Sequence, residues 1–146
     1  MISSFAMRLV LDTGIVVAAL RSPRGASALL LTRVRLGRHG MILTVPLALE
    51  YEAVLSRPHH LEACRLSLDA MRQVVSGLIA IAEPTPVWFS LRPAAYDPGD
   101  DLVIEAAVNG RADAIASFDL RHIAKPAARF GIPTLHPIAI LRKEPS

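Results

Sequence analysis

The run Asp97-Pro98-Gly99-Asp100-Asp101-Leu102-Val103-Ile104-Glu105 sets acids at a helix start and along the helix itself. Ala114-Ile115-Ala116-Ser117-Phe118-Asp119 carries another acid just past a short apolar strand, and Leu9-Val10-Leu11-Asp12 repeats that device near the N-terminus. Carboxylates are hard oxygen donors, and a few of them around an open cavity suit a divalent cation such as Mg²⁺, which keeps several waters. A cation so held can generate hydroxide and stabilise a leaving oxygen in an in-line displacement. Asp101, Glu105 and Asn109 fall on one i, i+4, i+8 stripe of an otherwise apolar helix, the single polar strip of a packed element. The plain account of that strip is a solvated face, and that of Asp12 and Asp119 is a loop or N-cap role. Two aspartates at equivalent strand ends favour a site. On the helix after the second strand, Glu50 borders the stripe Leu47, Tyr51, Val54, Leu55 more closely than Glu52, so Glu50 is expected to face the cleft.

These acids need elements to position them. Arg8 to Leu11 reads as a strand apolar enough to be buried on both faces. Ile15 to Leu20 is a helical turn or two broken at Ser22-Pro23-Arg24-Gly25, and Ala26 to Leu36 is a helix ending near Gly37. Met41 to Val45 is a second strand, with Pro46 as the first residue of a helix that runs to about Ser56. Ser67 caps a helix with apolar residues at Leu68, Met71, Val75, Leu78, Ile79 and Ala82, ended by Pro84 and Pro86. Asp100 to Asn109 is helical and Gly110 terminates it. Ala114 to Ala116 is a strand, Leu120 to Phe130 is mostly helical, and Ile132 to Leu135 is a last strand. Strands that alternate with helices imply a parallel sheet covered on both faces. Ligands of such sheets bind beyond the carboxyl ends of the strands, which is where Asp12 and Asp119 fall.

A chain of 146 residues accommodates one domain with a real core. With 52% hydrophobic and 20% charged residues, disorder is excluded. The net charge of +3 is a weak hint of a polyanionic partner, strengthened by arginine's dominance, because its planar fork grips phosphate. The lone Cys64 cannot make an internal disulfide and fits a cytoplasmic location. No apolar run reaches membrane-spanning length, so no membrane association is expected. Met1 to Ala6 lacks the features of a signal peptide. Residues 7–142 are expected to form the domain, with tails at 1–6 and 143–146, and Met7 is a second possible start.

Together, Leu11-Asp12-Thr13, the Glu50 helix, the Asp-Pro-x-Asp-Asp run and Ser117-x-Asp119 resemble a PIN-domain ribonuclease. The similarity is nearest to the VapC-related toxins of toxin–antitoxin pairs. It spans Met7 to Leu141, including Ser22-Pro23-Arg24-Gly25 and Gly131-Ile132-Pro133. The resemblance implies a three-layer α/β/α fold with a central parallel sheet and an acidic pocket that holds Mg²⁺ or Mn²⁺ to hydrolyse RNA. It carries over Asp12, Glu50, Asp101 and Asp119 as metal ligands and catalytic acids. Asp97 and Asp100 are expected to support them, and Thr13 and Ser117 match hydroxyls that hydrogen-bond near the metal or its aspartates. It further implies a cognate antitoxin and a homodimer. Arg21, Arg24 and Arg38 are candidates for holding the RNA backbone. One departure is Gly14, where the family usually has Asn; loss of such an orienting group typically costs about 10–100-fold in metal affinity or activity.

Two other readings stand beside this one. A non-catalytic PIN-like module that binds RNA or a protein is favoured by Gly14. Asp12-Thr13-Gly14 also spells the Asp-Thr-Gly of dimeric aspartic proteases, an all-β fold at odds with the helical stretches here. Zinc is not expected, because Cys64 is alone and the five histidines lack ligand spacing and read as surface or capping residues.

Overall fold

The computed structural model describes residues 6–91 and 97–144. Five strands form one sheet: β1 (Arg8–Leu11), β2 (Gly40–Leu43), β3 (Glu83–Pro84), β4 (Ala114–Ala116) and β5 (Thr134–Leu135). The helices are α1 (Thr13–Arg21), α2 (Ala26–Arg35), α3 (Val45–Leu55), α4 (Pro58–Cys64), α5 (Leu68–Ile81), α6 (Pro98–Gly110), α7 (Ala124–Ala128) and α8 (Pro137–Arg142). Strand order is β3-β2-β1-β4-β5 and every pairing is parallel, giving the expected three-layer α/β/α architecture. The all-β fold of an aspartic protease is thereby excluded.

The chain leaves β1 towards β2 and β3, then crosses back to build β4 and β5 on the other side of β1. That reversal makes the gap between β1 and β4 the topological switch point, where ligands of open parallel sheets sit. Right-handed crossovers put α1, α2, α3 and α5 on one face and α6 and α7 on the other. In keeping with this, α6 lies against β1, β2 and β4, while α1 and α2 pack on each other. The middle of the sheet is dry: Leu9, Val10, Leu11, Ile42, Ala114, Ile115 and Ala116 are all buried.

Several elements differ from the sequence expectation for local reasons. Helix α6 starts at Pro98, with Asp97 as an N-cap accepting a hydrogen bond from the Gly99 amide at 2.8 Å. A proline at the first helical position sets that start two residues before Asp100. The same signal opens α4 at Pro58 and α8 at Pro137, neither of which was anticipated. Pro84 ends α5 as expected but also sits in β3, an edge strand, where a missing donor is tolerated. The helix anticipated from Leu120 shortens to α7 because residues 119–122 form a turn around the Asp119 side chain. Of the two expected tails, residues 1–5 and 145–146 lie outside the described residues. Glu144 is anchored rather than loose, bonding buried His39 at 2.7 Å and Arg33 at 3.5 Å.

The edge of the sheet away from the aspartates is fastened by Arg8. Its guanidinium pairs with Glu83 and caps the Gly110 and Arg111 carbonyls at the end of α6, tying β1, β3 and α6 together. Just there Gly110 lets α6 settle onto β2, since a Cβ at this position would lie 2.5 Å from Ile42 Cγ2. Overpacking of this kind typically costs about 1–3 kcal/mol. Gly110→Ala is therefore expected to lower the free energy of unfolding by roughly that amount in urea denaturation, with an unchanged slope.

Candidate active site

The site begins with register. Leu11 of β1 pairs with Ala116 of β4, so the next residues, Asp12 and Ser117, emerge side by side. The Asp12 amide donates to the Ala116 carbonyl at 2.9 Å. The fully buried Ser117 hydroxyl donates to Asp12 Oδ2 at 2.7 Å and accepts from the Asp119 amide at 2.9 Å. One hydroxyl thus links the two strand-end aspartates. Asp12 occupies the N-cap position of α1. Burial, and secondarily the charge of Asp119, push the Asp12 carboxyl above its ordinary range. Ser117 and the amides of Thr13 and Gly14 draw it partly back.

Asp119 does serve its local turn. Its Oδ1 accepts the amides of Arg121 at 3.1 Å and His122 at 2.8 Å, and Oδ2 lies 3.1 Å from His122 Nδ1. The backbone hydrogen bond from His122 leads the contacts that hold its carboxyl below the usual range. With 38% of its side chain exposed, the group still faces solvent.

The remaining acids arrive on α3 and α6. Glu50 reaches over the first turn of α6. A Cβ on Gly99 would stand 3.3 Å from Glu50 Oε1 and 3.2 Å from Asp97 Oδ1, so glycine is what leaves room for both carboxylates. Asp100, half-buried on the same turn, has its carboxyl pushed up to about 6. Burial is the largest cause, followed by the charges of Asp12, Asp97 and Asp119, with His122 opposing. Asp100 therefore shares one electrostatic field with both strand-end aspartates.

Asp101 is 4% exposed and Glu105 fully buried. Glu105 accepts the Leu91 amide at 3.2 Å; Asn109 takes the amides of Trp88 and Phe89 on Oδ1 and gives Nδ2 to the Phe89 carbonyl. Glu105 and Asn109, one helical turn apart, thus bind the backbone of segment 88–91. Asp101 and Glu105 turn inwards with Val103, Ile104, Ala106 and Ala107, which leaves Asp100 at the edge.

Thr13 is the first residue of α1, and its hydroxyl makes no hydrogen bond among the described residues. Gly14 is exposed, and a Cβ there would meet Asp12 Oδ2 at 4.0 Å, an ordinary contact. Arg21 and Arg24 lie at and beyond the far end of α1, whose nine residues span about 13 Å. Arg38 precedes β2 at the opposite sheet edge. None of the three joins the acids. His122, read as a surface or capping residue, is beside them; only its spacing from Asp119, as i+3 in a turn, signalled this.

A profile of the PIN domain matches residues 8–121. The chain belongs to the PIN-domain family. PIN domains are generally nucleases that use divalent cations, and the acid edge lies within the matched span. No curated protein matches the chain.

The donor set fits a hard cation. Five carboxylates, Asp12, Glu50, Asp97, Asp100 and Asp119, gather at this edge, and none is paired with Lys or Arg among the described residues. They are loosely spread, since no three acids, histidines or cysteines among the described residues stand close enough to enclose a metal ion. An open, negative, oxygen-rich pocket suits a cation that retains water.

Crowding has a signed consequence for stability. A carboxyl whose folded pKa exceeds its unfolded value penalises the native state once ionised; the penalty is full above about 6 and is relieved as pH falls through about 6 towards 4. Metal-free Asp100→Asn protein should melt a few degrees above wild type at neutral pH. The gap should close near pH 4, as followed by circular dichroism. Equal melting temperatures across this range would refute the crowding.

Proposed function

We propose that this PIN domain is a divalent-cation-dependent endoribonuclease whose carboxylates are Asp12, Glu50, Asp100 and Asp119. The observation that carries the reading is the gathering of acids at the β1–β4 switch point with no Lys or Arg paired to them among the described residues. Asp100 takes the place expected for Asp101, because it is the more exposed of the pair and shares the field of Asp12 and Asp119. Asp101 supports the helix from inside.

Mg²⁺ or Mn²⁺, when bound, would supply a Lewis acid and lower the pKa of water enough to attack a phosphodiester. The chain's own residues prepare for this. Ser117 fixes the Asp12 carboxylate and the Asp119 backbone relative to each other. The His122 contact and two turn amides orient Asp119 while leaving it accessible. Glu50 crosses onto the first turn of α6, whose dipole favours its charge. Among the basic residues on this edge are Arg121 and His122, better placed for a phosphate than Arg21, Arg24 or Arg38.

The role of toxin, silenced by a small antitoxin, rests on the resemblance of the motifs to that branch of the family. In support, an apolar cleft suited to a protein partner opens beside the end of β2, lined by Leu43, Val45, Leu49, Ile79, Ala82 and Pro84. A homodimer and a cytoplasmic location belong to the same reading.

The decisive comparison is cleavage of structured and single-stranded RNA by wild type, Asp12→Asn, Asp100→Asn, Asp101→Asn and Asp119→Asn, with Mg²⁺, Mn²⁺ or EDTA. Wild-type cleavage should require the cation. Losses at Asp12, Asp100 and Asp119 should exceed the roughly 10–100-fold typical of supporting residues, and the loss at Asp101 should not. Cleavage in EDTA would sink the reading, and metal binding without cleavage would establish the non-catalytic module. A folded Asp101→Asn as inactive as Asp100→Asn would return the ligand role to Asp101.

Gly14 gives a gain-of-function test. Because a side chain has room beside Asp12 Oδ2, Gly14→Asn should lower the Mg²⁺ concentration for half-maximal cleavage by up to about tenfold, within the range for orienting groups. An unchanged or raised requirement would show that the glycine is no deficit.

A further inference from the structure

We infer that Tyr51 is a positioning residue for the acid cluster: its hydroxyl sets the spacing between Asp12 and Glu50 by clamping the peptide that precedes Asp12. The inference rests on the proposed metal-dependent activity and adds a residue that touches neither substrate nor cation.

Tyr51 is fully buried, and its hydroxyl donates to the Leu11 carbonyl at 2.5 Å. That carbonyl belongs to the peptide whose N–H, on Asp12, donates to Ala116. One peptide plane is thus pinned at both ends, by a side chain from α3 and by the neighbouring strand. The β1–β2 register pairs Arg8 with Gly40 and Leu9 with Met41, so the Tyr51 contact lies past those pairs, where β1 runs out towards the site.

Tyr51 is also the residue after Glu50. Successive helical residues diverge by about 100°, so one points into β1 while the other reaches Gly99 of α6. The bond therefore joins the element that carries Glu50 to the peptide that carries Asp12, and fixes two like charges at a set separation. A carbonyl can only accept, so the phenol hydroxyl is the donor in this bond. No solvent reaches the group to replace a lost hydrogen bond, and an orphaned buried carbonyl would shift to find a partner. Carboxylates that must hold a cation tolerate such movement poorly, which is why orienting partners typically matter about 10–100-fold.

Mn²⁺ titration calorimetry and Mg²⁺-dependent RNA cleavage test this on the full chain. Tyr51→Phe removes only the hydroxyl. Ile140→Val, at a buried position of α8, which packs on α2, controls for mild core destabilisation. Tyr51→Phe should bind Mn²⁺ about tenfold more weakly and need about tenfold more Mg²⁺ for half-maximal cleavage, with smaller loss at saturating Mg²⁺. Ile140→Val should leave both unchanged. 4-Aminophenylalanine at position 51, which keeps a donor in place, should recover most of the affinity. The inference fails if Tyr51→Phe binds Mn²⁺ like wild type, if Ile140→Val weakens binding equally, or if 4-aminophenylalanine recovers nothing. Should Tyr51→Phe not fold, the 4-aminophenylalanine chain decides: its weaker donor must give an affinity below that of wild type, and equality overturns the inference. Absence of Mn²⁺ binding by wild type would instead bring down the metal reading itself, and this inference with it.

Discussion

The pairing of Leu11 with Ala116 is the constraint on which the site depends. A parallel ladder has one register here, because both strands are buried on both faces and a slip would expose or misplace every side chain. With the register fixed, the first residues beyond the ladder must stand together. Asp12 and Ser117 then meet through a 2.7 Å hydrogen bond, and Asp119 follows within the reach of a single turn. Nothing about an aspartate alone would bring Asp12 near Asp119, more than a hundred residues apart. The sheet does it, at the point where the chain reverses its direction of travel across the strands.

Once the two strand ends are set, the rest of the cluster is a problem of repulsion. Glu50 and Asp100 are brought towards charges of their own sign, and the raised Asp100 carboxyl is the visible sign of the cost. The fold carries this at one edge because the other is well fastened. Arg8, Glu83 and the last carbonyls of α6 form a compact ionic and hydrogen-bonded knot, and a continuous apolar core lies between. Strain concentrated at a site and offset elsewhere is the usual signature of function in an otherwise self-consistent structure.

Much of this was legible in the sequence, and the failures have physical causes. Apolar runs ending in Asp12 and near Asp119 could be read directly, because burial on both faces leaves no alternation to obscure the strand. Alternating elements gave the parallel sheet, and Ser117 followed from the family motif. Choosing between Asp100 and Asp101 required knowing which side of α6 packs inwards, since neighbouring helical residues diverge by about 100°. Asn109 and Glu105 were invisible as backbone anchors, since segment 88–91 has no periodicity to place it against α6. Tyr51 read only as a core residue. A hydroxyl at the edge of an apolar stripe does not announce its acceptor.

The charge distribution gives the last constraint. The chain is net positive, yet Arg21, Arg24 and Arg38 are removed from the acid edge, and the carboxylates there are unpaired by Lys or Arg among the described residues. A polyanion is thus attracted to the molecule as a whole and repelled at the place proposed for chemistry. Phosphate can approach Asp12, Asp100 and Asp119 only if a cation screens them, and the cation is held only if the carboxylates keep their spacing. On this reading cation and substrate are linked: each lowers the cost of the other's approach, and the Ser117 and Tyr51 hydroxyls govern both by governing that spacing. A Lys or Arg among the acids would have made a more stable protein and filled the place of the cation.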